Sequence, residues 1–186
     1  MTRAFLPHTV ESETIDRLLD RARRAPSAGN TQAVGFVVLD STETVSAYWA
    51  TTLGDRADGF RWQGLLQAPA LVIVTVTPDA YVERYAEPDK ARTGLGQDTS
   101  AWQVPYWWVD AGAVAQNLLL LAVDRGWGAC LFGLFEHEPA VVERFGLDPS
   151  NRLVATVALG HALPDEPSRS ADRSRPALGD VITRPS

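Results

Sequence analysis

One stretch limits the folds open to this chain more than any other: "VDAGAVAQNLLLLAVDRG", residues 109–126. It is long enough for a helix, and its apolar residues surround the helix almost completely. A helix with so little polar surface belongs inside a protein. Ala113, Val114, Leu118, Leu119, Leu121 and Ala122 exceed what a single core face requires. The helix is therefore expected to meet a second copy of the chain as well as its own core. Gly126 is placed to cap its C-terminal end.

The elements around this helix set the fold class. Residues 12–25 read as a helix that Ser12 can cap, with Ile15, Leu18, Leu19 and Ala22 on one stripe and Pro26 as the stop. "VGFVVLD" (34–40) and "ALVIVTVT" (70–77) read as buried strands, and "GACLFG" and "RLVATVALG" as two more. Further helices are expected from Ser41 or Thr42, carrying Val45, Tyr48, Trp49 and Leu53. Others are expected in "FRWQGLLQA", from Pro78 to about Ala86, and in "EPAVVERFG". Residues 54–59 and 87–105 read as loops, and a loop as long as the second is usually functional or mobile. Residues 162–186 have no core pattern and read as an extended arm. Two helices precede the clearest strand with only one short strand among them. That order predicts an α+β, three-layer arrangement with a mixed sheet, not a regular doubly wound fold. A chain of 186 residues, 45% hydrophobic, fits one domain spanning 1–186.

Composition removes several function classes. A net charge of −6 speaks against a broad nucleic-acid surface. The single Cys130 excludes an internal disulfide and a cysteine zinc site, and His8, His137 and His161 lack ligand spacing, so no metal is expected. No run approaches the length of a membrane span. The opening residues turn acidic at once, unlike a signal peptide. A cytoplasmic protein is the expectation.

The usual catalytic motifs are missing: no GxSxG, HExxH, GxxxxGK[ST], or GxGxxG after a strand. Cys130 sits in an apolar strand pattern and reads as a buried thiol more readily than as a nucleophile. His137 between Glu136 and Glu138 reads as an acid–base cluster or as the solvated start of a helix. No catalytic side chain can be nominated, and an enzyme without such machinery often relies on a bound cofactor. "RRAPSAGNTQ" (23–32) suits that role. Its small residues allow backbone to approach a ligand, and Ser27 and Asn30 offer hydrogen bonds. An ordinary glycine turn with polar decoration is the other reading.

Four segments carry a resemblance. "ARRAPSAGNTQ" before a strand, "DAGAVAQNLLLLAVDRGWGACLFGLF" (110–135), "VALGHALPDEP…RSRPALGDVI" (157–182) and "RAFLPHTVESETIDRLL" (3–19) occur in the order found in the nitroreductase family. These are FMN-dependent NAD(P)H oxidoreductases. The resemblance covers most of the chain except about 41–68 and 79–105. The family usually continues with Pro-Trp where Ala33-Val34 stand here, and of its opening Arg-Arg-Ser-x-Arg only Arg3 is matched.

The resemblance implies a three-layer α-β-α sandwich with a mixed, mainly antiparallel sheet, in an intertwined homodimer. Two FMN molecules lie at the interface, each touched by both subunits. Pro26, Ser27 and Ala28 would line the flavin, Asn30 would reach the ring edge, and Gln32 would fix the turn. Leu131, Phe132 and Gly133 match the segment beside flavin N5, where a backbone N–H suffices. Arg173 and Arg175, with Arg3, match positions near the phosphate, which guanidinium forks suit. The implied reaction is ping-pong: NAD(P)H gives hydride to N5, then a flat nitroaromatic or quinone-like acceptor is reduced.

"AWQVPYWW" (101–108) has two readings: packing at the start of the central helix, or a lid of Trp102, Tyr106, Trp107 and Trp108 over the substrate face. Other readings of the whole chain also stay open. It could run another flavin reaction on the same fold, such as dehydrogenation or reductive dehalogenation, bind or sequester flavin without turnover, or be a dimeric scaffold without cofactor.

Overall fold

Four strands form the middle of the molecule: β1 (Val34–Leu39), β2 (Ala70–Val76), β3 (Gly128–Phe132) and β4 (Arg152–Gly160). The fold is taken from a computed structural model, which describes residues 1–165, 168 and 170–185. The strands lie in the order β1-β2-β4-β3, and every pairing is antiparallel. The expectation of a mainly antiparallel sheet is met, and no parallel pair occurs among the described residues. β2 and β4 are central and buried along nearly their whole length, as their near-continuous apolar sequences demand.

Alternation along β2 divides the core in two. Ala70, Val72, Val74 and Val76 face α1 (Ser12–Ala22) and α4 (Tyr106–Asp124). Leu71 and Ile73 face α2 (Thr42–Thr52) and α5 (Glu138–Phe145). A period-two side-chain pattern on a sheet covered on both faces yields these three layers. α3 (Pro78–Ala86) follows β2 directly, with proline in its first turn.

α4 begins at Tyr106, earlier than its apolar pattern suggests. It ends in a full Schellman motif: Gly126, at φ +80°, donates to the Val123 carbonyl, and Trp127 donates to that of Ala122. One side of α4 packs on α1 and the sheet. The other presents Tyr106, Val109, Ala113, Gln116, Leu120 and Val123 at alternating spacings of three and four, and all but half-buried Ala113 are exposed. A seam of that period is what a facing helix would cover.

Two local expectations need correction. Ser12 does not cap α1; Glu11 holds the cap position, and the Ser12 hydroxyl donates to Asp40. The cap of α2 is Ser41, in a reciprocal capping box with Thr44. Residues 60–68 form only a single 3₁₀ turn, Gln63–Leu65. The Gln63 side-chain amide donates to the Ala57 and Phe60 carbonyls and so holds the chain in a loop. Gly64 presses against residue 4, where a Cβ would stand 2.8 Å from the Ala4 Cα.

The described residues after β4 are nearly all exposed, with a 3₁₀ turn at Leu178–Asp180. Of the arm expected at 162–186, Glu166, Pro167, Arg169 and Ser186 lie outside the described residues. No helix among the described residues is long and apolar enough to cross a membrane.

Candidate functional site

β3 is an edge strand, and beside its C-terminal end lies a cavity of about 370 Å³. That is a normal size for a small-molecule site. Aromatic side chains make most of its wall. Phe132 stacks on Trp49 at 5.5 Å and 19°, and Phe60 lies tilted to that indole at 6.5 Å. Tyr48 stands edge-on to Trp49 and shares a 2.8 Å hydrogen bond with the buried Thr156. Burial pushes the Tyr48 phenol up to about 12, so it stays protonated at neutral pH. The Trp49 Nε1–H is buried without an acceptor among the described residues.

Arg3, Trp62 and His137 complete the rim, and among the described residues no aspartate or glutamate lines the cavity. In a chain of charge −6 that absence marks the cavity as a place for an anion or a neutral molecule. Cys130 also lines it, but burial raises its pKa, only partly offset by the Arg3 charge, so the thiol is not an activated nucleophile. Its reading as a buried thiol holds.

The backbone at this edge is available for bonding. Thr2 N–H donates to the Ala129 carbonyl from the side away from β4. Successive residues of a strand turn their amides to opposite edges, so Leu131 faces that same outer edge. Phe135 stands over the turn that follows. It is 82% exposed, holds a left-handed φ of +48°, and its ring would meet a Cβ at Gly133 at 3.1 Å. A bulky residue in that region is strained, and sequence reading gave no sign of it.

The connection from α1 to β1 occupies the opposite edge of the sheet. It turns through three left-handed residues: Gly29 at φ +63°, Asn30 at +56° and Gln32 at +55°. Gly29 is required twice over, since a Cβ there would also lie 2.7 Å from the Tyr85 ring. Ser27 Oγ accepts the Gln32 backbone N–H at 3.0 Å, and the Gln32 side chain donates to Asn30 Oδ1 at 2.8 Å. The polar residues of this loop are therefore spent largely on its own shape.

Asp110 anchors it. The carboxylate is buried on α4 and accepts the Ala28 N–H and the Tyr81 hydroxyl, each at 2.8 Å. Burial, then the bond to Asp110, raises the Tyr81 pKa far above the usual phenol value. Sequence reading missed Asp110; an acid near the start of an almost wholly apolar helix was the available signal. Pro26, Ser27, Gln32 and Asp110 line one small cavity, and Ala28 opens onto a second, larger cleft with Tyr85, Leu95, Trp102 and Tyr106.

The four aromatic lid candidates do not act together. Trp102 and Trp107 are each only 6% exposed and pack edge-on against Tyr81 in the core. The Trp102 indole N–H donates to the Leu95 carbonyl, which ties the long loop down. Trp107 is thus a core residue and not a lid, while Trp102 shows one side to the cleft. Tyr106 is exposed at the cleft. Trp108, two positions on, points about 200° away around the helix and lies under the Arg152 guanidinium.

Arg173 and Arg175 are exposed on the arm and line neither cavity. His137 lies 3.6 Å from Glu136, but Glu138 is taken by Arg152 and the Leu153 N–H, so the three do not form one cluster.

The sequence model of the Nitroreductase family matches residues 1–161. The chain belongs to the nitroreductase family. A "4-nitrobenzoate reductase" of Pseudomonas putida is 26% identical, with 86% of this chain and 80% of that protein covered. A relative from Archaeoglobus fulgidus whose name pairs NADH dehydrogenase with NAD(P)H nitroreductase is 25% identical over 91% of this chain and 84% of its own length. A crystal structure from Exiguobacterium sibiricum, in complex with FMN, superposes with a TM-score of 0.75 at 21% identity, covering 99% of this chain and 92% of that one. The nitroreductase fold places the expected residues in two groups. Arg3, Leu131, Phe132 and Gly133 meet at the β3 edge; Pro26, Ser27, Ala28, Asn30 and Gln32 lie by the β1 edge. Three strand spacings, about 14 Å, separate those edges.

Proposed function

We propose that this protein is a cytoplasmic, homodimeric FMN-dependent oxidoreductase that takes electrons from NAD(P)H and passes them to a flat nitroaromatic or quinone-like acceptor. The observation that carries this reading is the β3-edge cavity: aromatic walls, a cationic rim, no carboxylate among its described lining residues, and an open backbone edge at Leu131. A planar ring with an anionic tail fits those features. FMN, when bound, supplies hydride acceptance and donation, which none of the side chains here can provide.

The chain's own residues then have distinct tasks. Phe132, Phe60 and Trp49 exclude water from the ring. The Leu131–Gly133 backbone offers the hydrogen bond at the reacting edge. Arg3, Arg173 and Arg175 hold the phosphate. Pro26, Ser27 and Ala28, positioned by Asp110, close the site from the partner, whose Trp102 and Tyr106 border the acceptor. The exposed seam on α4 is the contact that brings the two halves together.

The test is direct. The purified protein should be yellow, release FMN on denaturation, run as a dimer in light scattering, and oxidise NADH or NADPH steadily when a quinone or nitroaromatic is added. A colourless protein that takes up no added FMN overturns the reading. FMN binding without turnover reduces it to a flavin carrier.

A further inference from the structure

The cleft onto which Ala28 opens measures about 740 Å³. Tyr85, Trp102 and Tyr106 give it flat walls, and Thr93 and Gln103 add uncharged polar side chains. Among the described residues no acidic or basic side chain lines it. The segment around it is rich in charge, but those charges are engaged elsewhere. Arg84 donates to the Gly29 carbonyl at 2.9 Å and to the two Asp89 oxygens at 2.8 Å each. Asp98 accepts the Ser100 N–H and hydroxyl, both at 2.6 Å. Lys90 approaches the Tyr85 ring, with Nζ 6.0 Å from its centroid, and Arg92 is exposed; neither is a lining residue.

The walls are fixed by their own packing. The Gly29 backbone lies on the Tyr85 ring, where a Cβ would stand 2.7 Å from it. Trp102 meets Tyr85 edge-on at 4.7 Å, and its indole N–H donates to the Leu95 carbonyl at 2.9 Å. Gly96 packs on the end of α3, where a Cβ would overlap the Ala86 backbone. Such walls have little freedom to bring a counter-charge forward. A carboxylate entering the cleft would shed water and gain no cation in return, which disfavours it strongly. A neutral ring loses little water and gains the flat walls, and its polar substituent can bond the Gln103 amide, which both donates and accepts. We propose that this cleft selects uncharged planar acceptors over anionic ones of the same shape, by withholding any cation from them. This rests on the FMN reading above, which puts Ala28 beside the flavin.

The experiment uses the full chain loaded with FMN and two acceptors of one shape, 4-nitrobenzamide and 4-nitrobenzoate. Their Kd values come from tryptophan quenching without NAD(P)H, and kcat/KM from steady turnover. The amide should be preferred at least about tenfold by both measures. The preference should persist at about 1 M salt, where the Debye length is about 3 Å. Gln103→Arg should shift the ratio about tenfold toward the acid, and Gln103→Glu should shift it the other way. Comparing ratios between variants cancels the acceptors' own difference in reactivity, and Thr93→Lys repeats the test if Gln103→Arg fails to fold. A preference that vanishes in salt belongs to the net charge of −6 and overturns the assignment. So does equal binding of the two acceptors, or a ratio that neither exchange at Gln103 moves. A wild-type protein that takes up no FMN fails the parent reading, a distinguishable result, and the quenching titration of the flavin-free chain still decides whether the cleft prefers the amide.

Discussion

The cavity at the β3 edge is walled by side chains, whereas the loop at the β1 edge is shaped by its backbone. Tyr48, Trp49, Phe60 and Phe132 interlock around the first, and their packing would survive the loss of any one polar contact. The second depends on left-handed residues and on hydrogen bonds that converge on Asp110. One region offers an apolar slot with a charged mouth; the other offers a rigid polar lip. They stand on opposite sheet edges, and on the function proposed above each is half of a site that a second copy would complete. The exposed seam on α4 is where the proposed second copy would dock.

The largest effect should come from confusing core with lid. Trp107→Ala removes a buried indole and should cost about 3–5 kcal/mol of stability. Tyr106→Ala, at an exposed position, should change stability by less than about 0.5 kcal/mol while altering acceptor preference. Thermal melts and kinetics with several acceptors check the pair. A mild Trp107→Ala would return that residue to the substrate face.

The arm comes next. Arg173→Ala combined with Arg175→Ala should weaken FMN binding about a hundredfold, some 2.7 kcal/mol. Neither arginine touches a cavity of its own chain, so this change tests whether the arm reaches a flavin at all. Retained affinity would leave both as solvated charges.

A third experiment tests the division of the site directly. Arg3→Glu should damage only the β3-edge half and Ser27→Asp only the loop half, each lowering FMN affinity at least about tenfold. Mixing the two variants through unfolding and refolding should restore about one site in four, because half the dimers are mixed and each holds one undamaged pair of halves. No recovery means that a single chain builds the whole site.

The fold was legible where period and punctuation agree. The four strands were found from β-branched runs, α3 from Pro78, and the end of α4 from Gly126. The error at 60–68 had a physical cause: an apolar spacing that suits a helix was overridden by Gln63 bonding the loop carbonyls and by Gly64 packing on Ala4. The loop at 26–32 was legible as an unusual turn because small and turn-forming residues are compulsory there, as the left-handed Gly29 shows. Trp62 could not be found, because it gains its meaning from Arg3, distant in sequence; Asp110 was marked by its place in an apolar helix, but its partners Ala28 and Tyr81 were not. Nor could spacing alone show that Trp107 turns inward while Tyr106 turns out.

The smallest effect compares how the two regions respond to acid. On the loop side Arg84 donates to the Gly29 carbonyl and grips Asp89 through both terminal nitrogens. That hydrogen-bonded guanidinium holds the Asp89 carboxyl down at about 2. On the cavity side Glu138, at the start of α5, takes two bonds from Arg152 and one from the Leu153 N–H. Its pKa is lowered, first by Arg152 and then by that backbone bond. Both are carboxylates depressed in the folded state, so their support is present above the unfolded values of about 3.9 and 4.3. It is lost as pH falls through the folded values. In a carboxyl-detected NMR titration Asp89 should show a midpoint near 2, and Arg84→Gln should move it to about 3.9. Glu138 should titrate below the ordinary glutamate range, and Arg152→Gln should raise it. Amide exchange in α5 should then quicken in acid, and in Glu138→Gln it should already be fast at neutral pH. An Asp89 midpoint unmoved by Arg84→Gln would mean that the loop is held by Asp110 alone.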